Sequence, residues 1–268
     1  MDIIIGIIMG IVEGLTEFAP VSSTGHMILV GHLLGFEGTT RVTTFEIVVQ
    51  LGSILAVVVV FWKRILNILG LSKKETDDQN IGKLSYIHIL IGILPFFLFG
   101  AVFYDFIKTL FTPQTVVISL IAGGILMMAA EFIRKPSPTA STLDQVSYKQ
   151  ALGMGLFQCL ALFPGFSRMG ATLSGGLLIG MNHKTASEFS FIMAVPIMAA
   201  ASGKDLLESW SYLSVSDLPL FISGFLTAFI VALIAIKFFL ALINKIKLVP
   251  FAIYRFVLAI LFWIFILN

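Results

Sequence analysis

The sequence predicts an all-α polytopic membrane protein with six transmembrane helices, two re-entrant helix pairs and an inverted-topology internal repeat. Three observations predict it. Hydrophobic residues make up 58% of the 268 and charged residues only 12%, against about 25% charged in a soluble domain of ordinary composition. The mean hydropathy is +1.01, so the apolar surplus has to be solvated by lipid. Two apolar stretches are broken near the middle by Pro, Gly and Ser, and those two stretches resemble each other.

A spanning helix needs roughly 20 apolar residues to cross about 30 Å of hydrocarbon. Residues 45–66, 84–106, 113–133, 185–206, 218–240 and 249–267 meet that requirement. Residues 1–35 and 150–181 do not, because APVSSTG at 19–25 and FPGFSRMG at 163–170 interrupt them. Each piece is too short to cross, so both stretches read as re-entrant pairs. Non-helical backbone at that depth is tolerated only inside protein or along a cavity, and matched broken segments point to a midplane site.

Laying residues 10–35 over 155–180 gives identities at Gly10/Gly155, Leu15/Leu160, Phe18/Phe163, Ser22/Ser167, Gly25/Gly170, Gly31/Gly176, Leu33/Leu178 and Gly35/Gly180. Thr43–Glu46 and Thr185–Glu188 both read T-x-x-E ahead of a long apolar run, the capping-box form of a helix start. The chain is expected to be one membrane domain, 1–268, with repeat halves 1–135 and 148–268. Three crossings per half is an odd number, so the second half is expected upside down.

Charge sets the orientation. One side collects Lys63, Arg64, Lys73, Lys74, Lys83, Arg134, Lys135, Lys149, Lys184, Lys237, Lys245, Lys247 and Arg255; the other holds Arg41, Lys108 and Lys204, with Arg168 inside the membrane. The positive-inside rule makes the first side cytoplasmic, so both termini and the opening of the site are expected on the outer, periplasmic side. A net charge of +2 is too small to suggest nucleic acid, and the single Cys159 excludes an intramolecular disulfide. The opening MDIIIGIIMGIVEG lacks a basic n-region and a cleavage site, against a cleaved signal peptide.

The candidate chemistry lies at the two breaks. Glu13 and Glu17, spaced i, i+4, share a helix face. An acid at bilayer depth costs roughly 2.5–3.5 kcal/mol, so the pair needs a proton, a cation or a basic partner. PVSSTGH follows at once. Ser22 or Ser23 can cap a helix, leaving the other hydroxyl beside Thr24 and His26, the minimum for nucleophilic attack with general-base help. In PGFSRMGAT, 164–172, Pro164 and Gly165 form a turn, Ser167 can cap the next helix and Arg168 enters its first turn. A helix N-terminus with an arginine is an anion site, and the guanidinium fork matches phosphate oxygens. Opposite Glu13, Glu17 and His26 the second half has Gln158, Leu162 and Ala171, and Arg168 stands opposite Ser23. That asymmetry predicts one composite site.

EGLTEFAPVSSTGHMIL and QCLALFPGFSRMGATLSGG are similar to the motifs of the undecaprenyl-diphosphate phosphatase family, also called the bacitracin-resistance family, and the resemblance runs along essentially the whole chain. It implies a phosphatase of the bacterial inner membrane converting undecaprenyl diphosphate to undecaprenyl phosphate and inorganic phosphate, so recycling the carrier lipid for cell-wall synthesis. It also implies a divalent cation, Mg or Ca. Glu13 and Glu17 match the paired glutamates, Ser22, Ser23, Thr24 and His26 the serine–histidine loop, and Ser167, Arg168 and Thr172 the arginine loop. Met169 stands where the family usually has Ser.

The expected roles are Ser23 as nucleophile, His26 as general acid/base, Glu17 with Glu13 as metal ligands or orienting groups, and Arg168 as phosphate clamp. Ser22, Thr24, Gly165, Ser167 and Thr172 are expected to bind the diphosphate. Direct attack by water stays open, and a homodimer is a further expectation. The rival class is a polyprenyl-phosphate or phospholipid transporter of inverted-repeat type. A carrier, however, needs two alternating gates and not a Ser/His/Glu/Glu cluster.

Overall fold

The computed structural model describes residues 2–71, 84–209 and 214–268, which form helices and no strand. Lys73, Lys74, Glu75, Asp77, Asp78 and Lys83 of the expected cytoplasmic loop lie outside the described residues. The first half comprises α1 (Asp2–Thr16), α2 (Ser23–Leu33), α3 (Thr40–Val60), α4 (Trp62–Ile68), α5 (Tyr86–Val102), α6 (Tyr104–Thr109) and α7 (Pro113–Ile133). The second comprises α8 (Tyr148–Gln158), α9 (Arg168–Leu178), α10 (His183–Ser209), α11 (Leu218–Ile246) and α12 (Val249–Phe262).

Among the described residues five stretches are long and apolar enough to cross a membrane: Arg41–Val60, Pro113–Ile133, His183–Leu207, Val215–Ile246 and Val249–Leu267. The sixth expected crossing is α5, only 17 residues long, or about 25 Å at 1.5 Å per residue. The two expected capping boxes are not the helix starts. Thr39 caps α3 by accepting from the Val42 N–H at 3.3 Å, and Asn182 Oδ1 accepts from the Thr185 N–H at 2.7 Å at the start of α10. A side-chain acceptor stood about one turn upstream in each case, so the helix runs back to it and leaves Thr43 and Thr185 inside.

The two broken stretches agree in local detail. Ser22 and Ser167 cap α2 and α9 with φ of 74° and 71°, accepting from the N–H groups of Gly25 at 3.2 Å and Gly170 at 3.1 Å. Both helices have 11 residues and end in the same turn, with Gly35 and Gly180 at φ of 63° and 90°. There Phe36 N donates to Gly31 O, and Met181 N to Gly176 O, both at 2.8 Å, the usual way for a left-handed glycine to satisfy a helix C-terminus. Each stretch also folds back on itself. Arg41, beyond α2, pairs with Asp2 at 2.6 Å, and Gln150 in α8 donates to the Ile179 carbonyl after α9 at 3.3 Å.

Packing exchanges partners between the halves: α1 lies along α11 and α8 along α5, while α3 meets α10 and α7 meets α12. Small residues make the α1–α11 contact possible. A Cβ on Gly6, Gly10 or Gly14 would come within 2.7, 2.6 and 2.8 Å of the carbonyl oxygens of Leu220, Gly224 and Ala228. In lipid no hydrophobic force joins two helices, so close backbone approach has to hold them. The exposed apolar side chains, Ile4, Phe132 and Ile234 among them, belong on a lipid-facing surface and give the expected homodimer no support.

Ion pairs gather at the helix ends. Arg41 joins Asp2 and Asp217 at 2.6 Å each, and Lys108 and Lys204 both lie over the Tyr104 ring. Arg64 pairs with Asp144 at 2.7 Å. Glu131 accepts from Arg134 at 2.8 Å and from the Leu248 N–H at 3.2 Å, and meets His183 at 2.8 Å. Arg255, expected among the cytoplasmic charges, instead lies inside α12 with 0% exposure.

Candidate active site

Both helix breaks converge on one carboxylate. Glu17 closes α1, its N–H donating to the Glu13 carbonyl at 2.9 Å. Ser23, first residue of α2, donates from Oγ to Glu17 Oε2 at 2.5 Å. Arg168, first residue of α9, donates from Nη2 to Glu17 Oε1 at 3.1 Å. Its Nη1 faces the carbonyl and hydroxyl of Ser190 at 3.4 and 3.5 Å. The Arg168 and Glu17 side chains are only 11% and 7% exposed, so each charge depends on the other while no anion is bound.

These three residues border a cavity of ≈ 220 Å³, together with Ser22, Thr24, Gly165, Ser167 and Gln50. Its remaining wall is apolar and includes Phe96, Phe111, Leu162, Phe163 and Met198. At about 30 Å³ per water, the volume suits a phosphate-sized head group and a few waters, not a long hydrocarbon chain.

Three expected site residues are not brought to this cavity. His26 is buried; its Nδ1 donates to the Ser22 carbonyl and its Nε2 meets the Tyr254 hydroxyl, both at 2.7 Å. The group hydrogen-bonded to Ser23 is Glu17, so the expected Ser23–His26 contact is replaced by Ser23–Glu17. Thr172 is fully buried. It donates to the Arg168 carbonyl at 2.8 Å and meets Ser190 Oγ at 2.6 Å, bracing the arginine's helix and not facing a ligand. Glu13 is 3% exposed with Oε1 unpartnered among the described residues. Its repeat counterpart Gln158 is likewise buried, with neither amide atom partnered among the described residues. The fold buries this position in both halves, and only one half puts an acid there.

Sequence reasoning passed over Gln50, Ser190 and Tyr254 and counted Arg255 as a cytoplasmic surface charge. All four are polar groups inside apolar helices, and the rule that an intramembrane polar residue has a task was the signal that could have found them. Gln50 Oε1 accepts from Ser202 at 3.1 Å, which leaves the amide N–H groups for the cavity.

The bacitracin resistance protein BacA family model matches residues 6–261, a span that contains both breaks and every cavity residue. The chain belongs to this family. The family is one of undecaprenyl pyrophosphate phosphatases, and with five apolar spans its member here is a multi-pass inner-membrane protein.

In this BacA-family chain a hydroxyl, a carboxylate and a guanidinium meet in a cavity of phosphate size at two helix N-termini. Such a set can deliver a nucleophile, take its proton and neutralise an anion. Among the described residues no group of three or more His, Cys, Asp or Glu side chains is placed to hold a metal ion. The residues still suit a cation of the Mg type, which takes one or two carboxylates and completes its shell with water and substrate phosphate. Glu17 borders the cavity, and a carboxylate has about four lone-pair sites, of which Ser23 and Arg168 use two. Glu13 stands behind it with a free oxygen.

Proposed function

We propose that this protein hydrolyses undecaprenyl diphosphate to undecaprenyl phosphate and inorganic phosphate, with Ser23, Glu17 and Arg168 at the reacting group. The observation that carries the proposal is the 2.5 Å hydrogen bond from Ser23 Oγ to Glu17 Oε2 beside the Arg168 fork. The diphosphate enters the cavity and the prenyl chain stays in lipid, because the cavity is too small for it. Arg168 and the N-terminal N–H groups of α2 and α9 hold the phosphate oxygens and stabilise the charge that spreads over them. Ser23 Oγ attacks the terminal phosphorus while its proton passes to Glu17. The phosphoanhydride bond breaks, and its bridging oxygen leaves on the lipid phosphate. Glu17 yields that proton to the departing lipid phosphate, takes one from the water that attacks the phosphoserine, and returns it to Ser23 Oγ as inorganic phosphate leaves. A divalent cation held by Glu17, with Glu13 in reserve, would neutralise diphosphate charge. His26 acts on the loop through the Ser22 carbonyl.

The topology that goes with this reading has six crossings, α5 serving as a short sixth, and two re-entrant hairpins in inverted halves. The exchanged pairing of α1 with α11 and α8 with α5 supports it. The Asp2–Arg41 contact supports a first hairpin that returns to the face it left. Phe111 and Ala201 border the cavity a few residues from Lys108 and Lys204, on the side with few basic residues. That supports an opening toward the outer face, to which this reading also assigns both termini.

The test is phosphate release from undecaprenyl diphosphate by purified protein in detergent, with and without chelator. Release that stops on chelation and returns with Mg or Ca is expected. No release, together with movement of polyprenyl phosphate across vesicles, would transfer the protein to the transporter class.

A further inference from the structure

Arg255 is the largest fully buried side chain among the described residues. It makes no ion pair there, although a buried charge without compensation is costly. Compensation comes from four hydrogen bonds, all to main-chain carbonyls. Nε donates to Leu120 O at 3.1 Å and Nη2 to Ser119 O at 2.9 Å, both on α7. Nη1 donates to Phe166 O at 2.7 Å and Nη2 also to Gly165 O at 3.1 Å, both in the turn that leads into Ser167 and Arg168. Glycine makes room for the clamp: a Cβ on Gly123 would lie 2.3 Å from Nη2 and 2.9 Å from Phe166 O.

Peptide geometry carries this clamp into the cavity. Across a trans peptide the C=O and N–H point in opposite directions. Drawing the Phe166 carbonyl onto Arg255 therefore turns the Ser167 N–H away from it, and Ser167 borders the cavity. None of the hydrogen bonds among the described residues uses that N–H. Ser167 also keeps φ at 71°, a region where a residue with a β-carbon does not stay unaided. Arg168 is the next residue. The matching loop of the first half has no arginine behind it among the described residues; the nearest side-chain bond there, from His26, goes to the Ser22 carbonyl, one residue further along than the counterpart of Phe166.

Resting on the phosphatase reading above, we propose that Arg255 is a positioning residue for the diphosphate. It pins the 165–166 turn so that the Ser167 N–H and the Arg168 guanidinium meet the same phosphate group. Arg255→Lys has three donors for four carbonyls on two elements. Gly123→Ala pushes the guanidinium off its acceptors from α7, none of whose residues borders the cavity.

The experiment uses purified full-length protein and two readouts, the KM for undecaprenyl diphosphate and the inhibition constant of inorganic pyrophosphate. The thermal midpoint is recorded beside them. Both variants are expected to raise KM and the inhibition constant by at least about tenfold, the loss of one charge-assisted hydrogen bond. Arg255→Lys placed on Arg168→Lys should add much less than its effect alone, because both act on one phosphate contact. Unchanged KM and inhibition constant, with a lowered midpoint and effects that multiply, would make Arg255 purely structural and overturn the proposal. Should Arg255→Lys not fold, Gly123→Ala decides by the same measurements. Should the wild type bind pyrophosphate yet release no phosphate from the lipid, the phosphatase reading fails, and the inhibition constants of the variants, obtained as pyrophosphate-dependent shifts of the midpoint, still decide the role of Arg255.

Discussion

Arg168→Lys keeps a positive charge at the cavity and removes the fork. The structure fixes what that costs. A guanidinium has five N–H donors; Glu17 takes one at 3.1 Å and Ser190 another at 3.4–3.5 Å, so three remain for phosphate. A lysine ammonium has three in all. Keeping Glu17 and giving up the long Ser190 contact, it offers two, one fewer than arginine. A hydrogen bond to a charged group is worth about 1.5–3 kcal/mol, which predicts a fall in kcat/KM of roughly 10- to 160-fold. Initial rates of phosphate release at substrate concentrations below KM measure this directly. The thermal midpoint should stay near that of the wild type, since the Glu17 pairing survives. A variant within about twofold of the wild type would refute the reasoning, for an interaction worth 1.4 kcal/mol already gives tenfold. Arg168 would then be only the counter-ion of Glu17.

Ser23→Ala should abolish turnover while pyrophosphate still binds, and Ser22→Ala should leave measurable turnover and lower stability by about 0.5–2 kcal/mol, the worth of a cap. Ser22→Gly should be milder than Ser22→Ala, because the φ of 74° suits glycine; substantial turnover by Ser23→Ala would hand the attack to water, with Glu17 as its base. His26→Ala should lose activity that added divalent cation does not restore, since it frees the Ser22 carbonyl. Tyr254→Phe should lose only the equivalent of a neutral hydrogen bond, about 0.5–1.5 kcal/mol, and equal losses in the two would mean that Nε2 carries the role of His26. For orientation, a membrane-impermeant maleimide applied to intact cells should label Val215→Cys and spare Ser137→Cys, both in a Cys159→Ser background; the reverse pattern would invert the topology.

Much of the architecture could be read from residue order, because both signals are local. Breaks at 19–25 and 163–170 separate α1 from α2 and α8 from α9, and the repeat identities Ser22/Ser167, Gly25/Gly170 and Gly35/Gly180 fall on the caps and C-terminal turns that make the halves alike. Glu17, Ser23 and Arg168 were also legible, as polar residues next to a break. What needed three dimensions was pairing. A histidine three residues from Ser23 looks like its base, yet on a helix the ring turns back to the carbonyl one turn earlier, and Glu17 reaches the serine across the break. A count of basic residues treats Arg255 as a surface charge because it cannot see four carbonyls waiting from two distant segments. Thr43 and Thr185 fit a capping pattern, but helix ends follow the first available acceptor, which lay at Thr39 and Asn182.

The ribosome makes α1 long before α11. The glycine face of α1 has its seat on α11, whose first residue is Leu218, and Glu17 waits for a counter-charge 151 positions downstream. A chain interrupted before residue 218 therefore carries both helix breaks and both motifs but has nowhere to dock the helix that ends in Glu17. Its acidic hairpin stays at the wet edge of the bilayer, where a carboxylate costs least. The cavity therefore assembles late and all at once, as a property of both halves together. Two half-chains produced separately would have to trade their leading hairpins before either could contribute to a working cavity.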